Sequence, residues 1–141
     1  MRTTIRTSHK SMPFDFVLEE LCEASPYVKP MFGAYGVYID DRILFILRDR
    51  IKSPEDNGIW LATTIQHHQS LQKVFPNMRS ISLFGPGVTG WQNLPADSDD
   101  FEEAAIQACK LALDKDPRIG KVPKTKLKKK TVRKAKAKKK T

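Results

Sequence analysis

The chain has 141 residues, room for one hydrophobic core and not two, with 25 Lys or Arg against 16 Asp or Glu. The charge is split: Arg118 to Thr141 holds thirteen basic residues and no acid, while everything before it balances at about −4, so the overall +9 describes neither part. No apolar run reaches the roughly eighteen residues of a membrane span, and two cysteines without a CxxC neighbour or clustered His give no zinc site by spacing.

Residues 1–10 are polar, basic and hydroxyl-rich, with no apolar run behind Arg2 and Arg6 to make a secretory signal. Ser11 is placed to cap a helix with Pro13 in its first turn. Phe14, Val17, Leu18, Leu21 and Cys22 then form one apolar stripe opposite an acidic face, until Pro26 stops the helix. Cys22 and Cys109 both read as small buried residues of a reducing compartment. Val28–Met31 suits a short strand that Pro30 confines to an edge or an irregular start.

The next stretch is a hairpin: Tyr35–Ile39 and Ile43–Leu47 flank the polar turn Asp40-Asp41-Arg42. Gly33 and Gly36 precede strand-like residues rather than a helix, so they read as points of close backbone approach and not as a phosphate loop. Tyr35 and Tyr38 have opposite parity, which predicts one in the core and one exposed. Gly58–Thr64 is a third strand anchored by Trp60, and Ile65–Phe75 a short helix capped by Thr63 or Thr64, with Ile65, Leu71, Val74 and Phe75 as its apolar residues. His67 and His68 project about 100° apart on that helix and have no ligand at i+3 or i+4, which favours solvated or packed histidines over a metal site. Arg79–Phe84 and Gly90–Leu94 make a second hairpin around a glycine-rich loop. Asp97–Asp100 then supplies helix caps, with Asp99 and Glu102 in capping-box spacing, ahead of a small-residue stripe of Phe101, Ala105, Ala108, Leu111 and Ala112. Pro117 closes the domain.

The expected architecture is α+β: an antiparallel sheet of about five strands in two hairpins, with two to three helices packed on it. The expected organisation is a flexible segment 1–10, a domain 11–117 and a lysine-rich tail 118–141. The tail carries almost no large apolar residues, cannot bury enough surface to offset its ordering entropy, and is expected to be disordered on its own.

The run Val28-Lys-Pro-Met-Phe-Gly-Ala-Tyr-Gly-Val-Tyr-Ile-Asp-Asp-Arg42 resembles the opening signature of the TfoX/Sxy N-terminal domain family. That signature is a basic residue, Met-Phe-Gly-Gly-Tyr-Gly-hydrophobic-Tyr, and a turn. Ala34 stands where the family has its second glycine, and the weaker resemblance covers residues 14–113. It implies a YjbR-like fold with helices packed on an antiparallel sheet. The family's C-terminal helical domain is replaced here by the lysine tail, whose composition is similar to the tails of linker histones.

No nucleophile–base pair, paired carboxylates or metal cluster stands out, so the expectation is a non-enzymatic protein with no catalytic residue, cofactor or metal. The tail predicts sequence-nonspecific binding to the phosphate backbone of DNA or RNA through Arg118, Lys121, Lys124, Lys126, Lys128, Lys129, Lys130, Arg133, Lys134, Lys136, Lys138, Lys139 and Lys140. Free of aromatics, the tail offers no stacking platform. Tyr35, Tyr38, Arg48 and Arg50 are the domain's candidates for surface contact with a protein partner. The resulting expectation is a cytoplasmic regulator, nucleoid-associated if its polyanion is DNA. A protein-interaction adaptor working without nucleic acid is the alternative, followed by a small-ligand-binding protein or enzyme.

Overall fold

The computed structural model describes residues 12–31, 33–83 and 89–122. The expected Ser11 cap, most of the second hairpin's glycine-rich loop and the chain beyond Val122 lie outside the described residues. Within them the fold is α+β, as the hydrophobic patterning predicts. Six strands, β1 (Tyr27–Met31), β2 (Ala34–Ile39), β3 (Arg42–Arg48), β4 (Gly58–Leu61), β5 (Arg79–Ser80) and β6 (Gln92–Pro95), form one antiparallel sheet in the order β1-β2-β3-β4-β6-β5. Three helices accompany it: α1 (Phe16–Glu20), α2 (His68–Val74) and α3 (Phe101–Leu113).

Alternation along the strands sends side chains to a main core on one face of the sheet and a small cluster on the other. Val37, Phe45, Leu47, Ile59, Leu61 and Leu94 point to the helix side, where they meet Val17, Leu21, Leu71, Phe75 and the alanine face of α3. The small side chains of Ala104, Ala105, Ala108 and Ala112 let α3 lie close to the sheet. The opposite side carries a smaller cluster of Ala34, Tyr38, Ile43, Ile46, Trp60, Ala62 and Ile81. Register slips between Val37/Tyr38, so that Phe45 faces Val37 while Ile43 faces Tyr38. Leu44 is the extra residue of this bulge, which turns both Leu44 and Phe45 toward the helix-side core.

β1 lies at one edge of the sheet, where the missing N–H of Pro30 costs no ladder bond. The two-residue β5 lies at the other edge.

Several local expectations are corrected. The first helix is a single α turn, followed by a 3-10 turn at Cys22–Ala24 and by Ser25 in the left-handed region. Pro26 disfavours a right-handed helical conformation at Ser25, so no helical winding passes Ala24. The 3-10 winding advances each residue about 120° instead of about 100° and carries Cys22 off the apolar stripe, so that Cys22 is exposed while Cys109 is buried. The third strand ends at Leu61 rather than Thr64. The helix expected over 65–75 begins as a 3-10 turn at Ile65–His67 and leaves Ile65 59% exposed. The capping box of Asp99 and Glu102 does not form. Asp100 is the N-cap residue, and its carboxylate instead accepts hydrogen bonds from Ser98 Oγ at 2.6 Å and Asn77 Nδ2 at 3.0 Å, which lower its pKa.

The domain also continues past Pro117. Ile119 is buried, the Gly120 N–H donates to the Ala62 carbonyl at 2.7 Å, and Lys121 exchanges both backbone hydrogen bonds with Ile43 at 2.8 and 2.9 Å. Lys121 thus bridges to β3 where β4 has ended, and the packed chain runs past the expected boundary at 117 to at least Lys121.

Candidate functional site

Of the thirteen basic tail residues singled out from the sequence, Arg118 and Lys121 are described; Lys124 and those after it lie outside the described residues. Arg118 belongs to the fold. Its guanidinium donates to both Asp116 carboxylate oxygens at 2.9 and 2.8 Å and to Ser70 Oγ at 2.6 Å. The hydrogen bonds from Arg118, its positive charge and the neighbouring His67 together hold the Asp116 carboxyl down at about 2. A few residues on, Arg42 Nη2 donates to the carbonyls of Ile119 and Gly120 at 3.2 and 3.1 Å. Gly120 has φ +107, and an added Cβ there would lie 2.8 Å from Arg42 Nη2, so only glycine admits the guanidinium this closely. The chain is therefore clasped on both sides immediately before its most basic stretch.

The four candidates for surface contact divide. Arg48 is buried, because its guanidinium gathers the loop after β3: it donates to the Ser53 carbonyl and Asn57 Oδ1 at 2.9 Å each and to the Lys52 carbonyl at 2.7 Å. A buried guanidinium whose two terminal nitrogens are taken up by inward-facing loop acceptors, with Nε left without a partner, is a structural pin and not a contact residue. Tyr38 is likewise buried, on the sheet side away from the helices, and its pKa is raised by burial and by the adjacent Tyr27. Tyr35 is half-buried against the helix-side core. The two tyrosines take opposite faces, but neither is the exposed one expected: Tyr38 is buried and Tyr35 packs half-buried against the other core. Arg50 remains exposed and donates to the Gly33 carbonyl at 3.0 Å.

The structure adds a residue that sequence reasoning passed over. Tyr27 pairs with Tyr38, Tyr38 with Ile43, and Ile43 with Lys121, so these four form one row across the sheet. Directly paired residues share a face, and Tyr38 and Ile43 lie on the side away from the helices. The Tyr27 ring stacks on Tyr38 with centroids 5.2 Å apart and planes at 11°, and its hydroxyl donates to the Asp40 carbonyl. Lys29, two residues along the same strand, holds Nζ 5.0 Å from the Tyr38 centroid and 5.9 Å from that of Tyr27. Gly36 leaves room beside the stack: a Cβ there would lie 3.1 Å from Tyr38 Cε1, so the ring would have to shift by a few tenths of an ångström. The pairing of Met31 with Ala34, counted outward along both strands, gives the partnership of Tyr27 with Tyr38.

His68 Nε2 lies 3.1 Å from the Gly90 carbonyl, a packed position on the loop before β6. No group of three or more His, Cys, Asp or Glu able to hold a metal ion occurs among the described residues, and no described helix is long and apolar enough to cross a membrane. A cavity of about 230 Å³ opens between the end of α3 and the β2–β3 turn, with Ile39, Leu44, Ala112 and Ile119 in its wall and Asp40 and Arg42 among its polar groups. It is smaller than the roughly 300 Å³ at which pockets begin to bury a drug-sized ligand.

Fold and site together define an α+β domain with a six-stranded antiparallel sheet and a clasped segment at Arg118–Lys121 leading into a strongly basic sequence. No family model, curated protein or solved structure matches the chain.

Proposed function

We propose that this protein is a non-enzymatic, TfoX N-terminal-like domain that associates with DNA through sequence-nonspecific binding by its basic tail and acts as a regulator there. The observation that carries the reading is the segregation of charge. All 16 acidic residues fall between Asp15 and Asp116, while the residues after Val122 include eleven Lys or Arg and no acid. Such a tail attracts a polyanion by releasing its condensed counterions, and an acidic body keeps the folded part from competing for the same phosphates. The signature around Met31–Tyr38 and an antiparallel sheet with helices on one side support the family part of the proposal.

Deleting residues 123–141 tests it, because that cut spares the clasp at Arg118–Lys121. Wild-type retention on duplex DNA should fall as salt rises, with a slope near −0.9 per engaged phosphate. Six to ten contacts correspond to a loss of about 10³–10⁵-fold between 50 and 200 mM salt. The deleted chain should show neither the affinity nor the slope. Retention that survives the deletion unchanged would overturn the reading.

A further inference from the structure

The tail's root and the exposed tyrosine of β1 share one row and one face of the sheet. Lys121, Ile43, Tyr38 and Tyr27 succeed one another across it, and three steps of about 4.8 Å put the Tyr27 backbone about 14 Å from the last described lysine. The tail therefore starts within reach of Tyr27. That ring is preorganised: one face rests on Tyr38, the hydroxyl is tied to the Asp40 carbonyl, and Tyr27 is still 42% exposed where Tyr38 is 5% exposed. Lys29 places an ammonium beside both rings. A fixed aromatic surface flanked by a cation is the arrangement on which an unpaired base stacks while its phosphate is neutralised alongside.

Resting on the tail reading above, we propose that Tyr27 and Lys29 form a stacking site for one unpaired base, so that the protein binds single-stranded nucleic acid more tightly than duplex. Bases inside a duplex present no free face to such a ring, and the duplex engages the tail alone. Strand addition by a peptide is the other use of an exposed edge. It is disfavoured here because Pro30 removes a main-chain donor from β1.

Full-length wild type and Y27A are compared on a short oligodeoxythymidylate and on a duplex of equal length, over a salt series. Y27A should weaken single-strand binding by about 5- to 150-fold, the range for losing one stacked base, and leave duplex binding and both salt slopes unchanged. Tyr27→Trp, which keeps an aromatic face, should retain the single-strand preference. Equal loss on both nucleic acids, or no loss on the single strand, overturns the proposal. A second measurement does not depend on the variant's folding: photocrosslinking wild type to an oligonucleotide carrying iodouracil should label the peptide that contains Tyr27, and labelling confined to tail peptides overturns the proposal. Failure of the tail reading shows separately, as duplex retention that persists after residues 123–141 are removed.

Discussion

Cys22 and Cys109 lie on opposite sides of a physical divide that decides their chemistry. Cys109 sits on the buried face of α3, where burial, reinforced by the negative charge of Glu20, pushes its thiol up to about 12, so thiolate is scarce near neutrality. Cys22 is exposed. A thiol reagent added to the native protein at pH 8 should therefore modify one cysteine quickly, C22S should abolish that phase, and the second equivalent should appear only on unfolding. Asp116 supplies a second prediction at this scale. Its folded-state carboxyl titrates at about 2, below the ordinary 3.8, so the native state favours the ionised form. The stability this gives is fully present above the ordinary value and is lost as pH falls from about 4 toward 2. Thermal melts across that window should show R118A losing less stability on acidification than wild type, because its Asp116 no longer has the partner that depressed it.

Among the elements, the segment Arg118–Val122 has the most to say about the fold, although no helix or strand pattern announces it. It buries Ile119, lends two carbonyls to Arg42, and pairs Lys121 with Ile43. Truncation after Pro117 should cost about 2–5 kcal/mol, from one buried isoleucine and several hydrogen bonds, whereas truncation after Val122 should leave the denaturation midpoint unchanged. Against a total stability of roughly 5–15 kcal/mol the first cut is severe. The sequence hides this segment for a physical reason. Proline followed by a change of charge looks like a boundary, and one isoleucine among lysines sets no period; its pairing is non-local and becomes visible only once β4 is seen to stop at Leu61. The first hairpin was legible because turn chemistry and alternation agree there, whereas of the second hairpin's expected strands Arg79–Phe84 and Gly90–Leu94 only Arg79–Ser80 and Gln92–Pro95 form. Local signals also placed α3 well, through its alanine stripe, and α1 poorly, because the left-handed Ser25 and Pro26 outweigh a good apolar pattern. Of the candidate contacts, Arg50 alone is plainly exposed; Arg48 was misread because a loop's need for inward donors leaves no mark on an arginine's spelling.

Taken whole, the molecule is an acidic body with a basic cord fastened at one end of its sheet. Its edges then matter in a way that a single copy does not reveal. Lys121 takes up the backbone groups of Ile43, so Tyr38 turns its own toward β1, and on β1 it is Val28 and Pro30 whose backbones face outward. A long polyanion would gather many copies of this chain side by side, raising their local concentration until bare strand edges meet. Pro30 offers no donor there, Lys29 on one copy would repel Lys29 on the next, and the opposite edge strand is only two residues long. Neighbours crowded on one polymer therefore have little means of zipping their sheets together, and an array of them stays a row of separate beads rather than becoming a fibre.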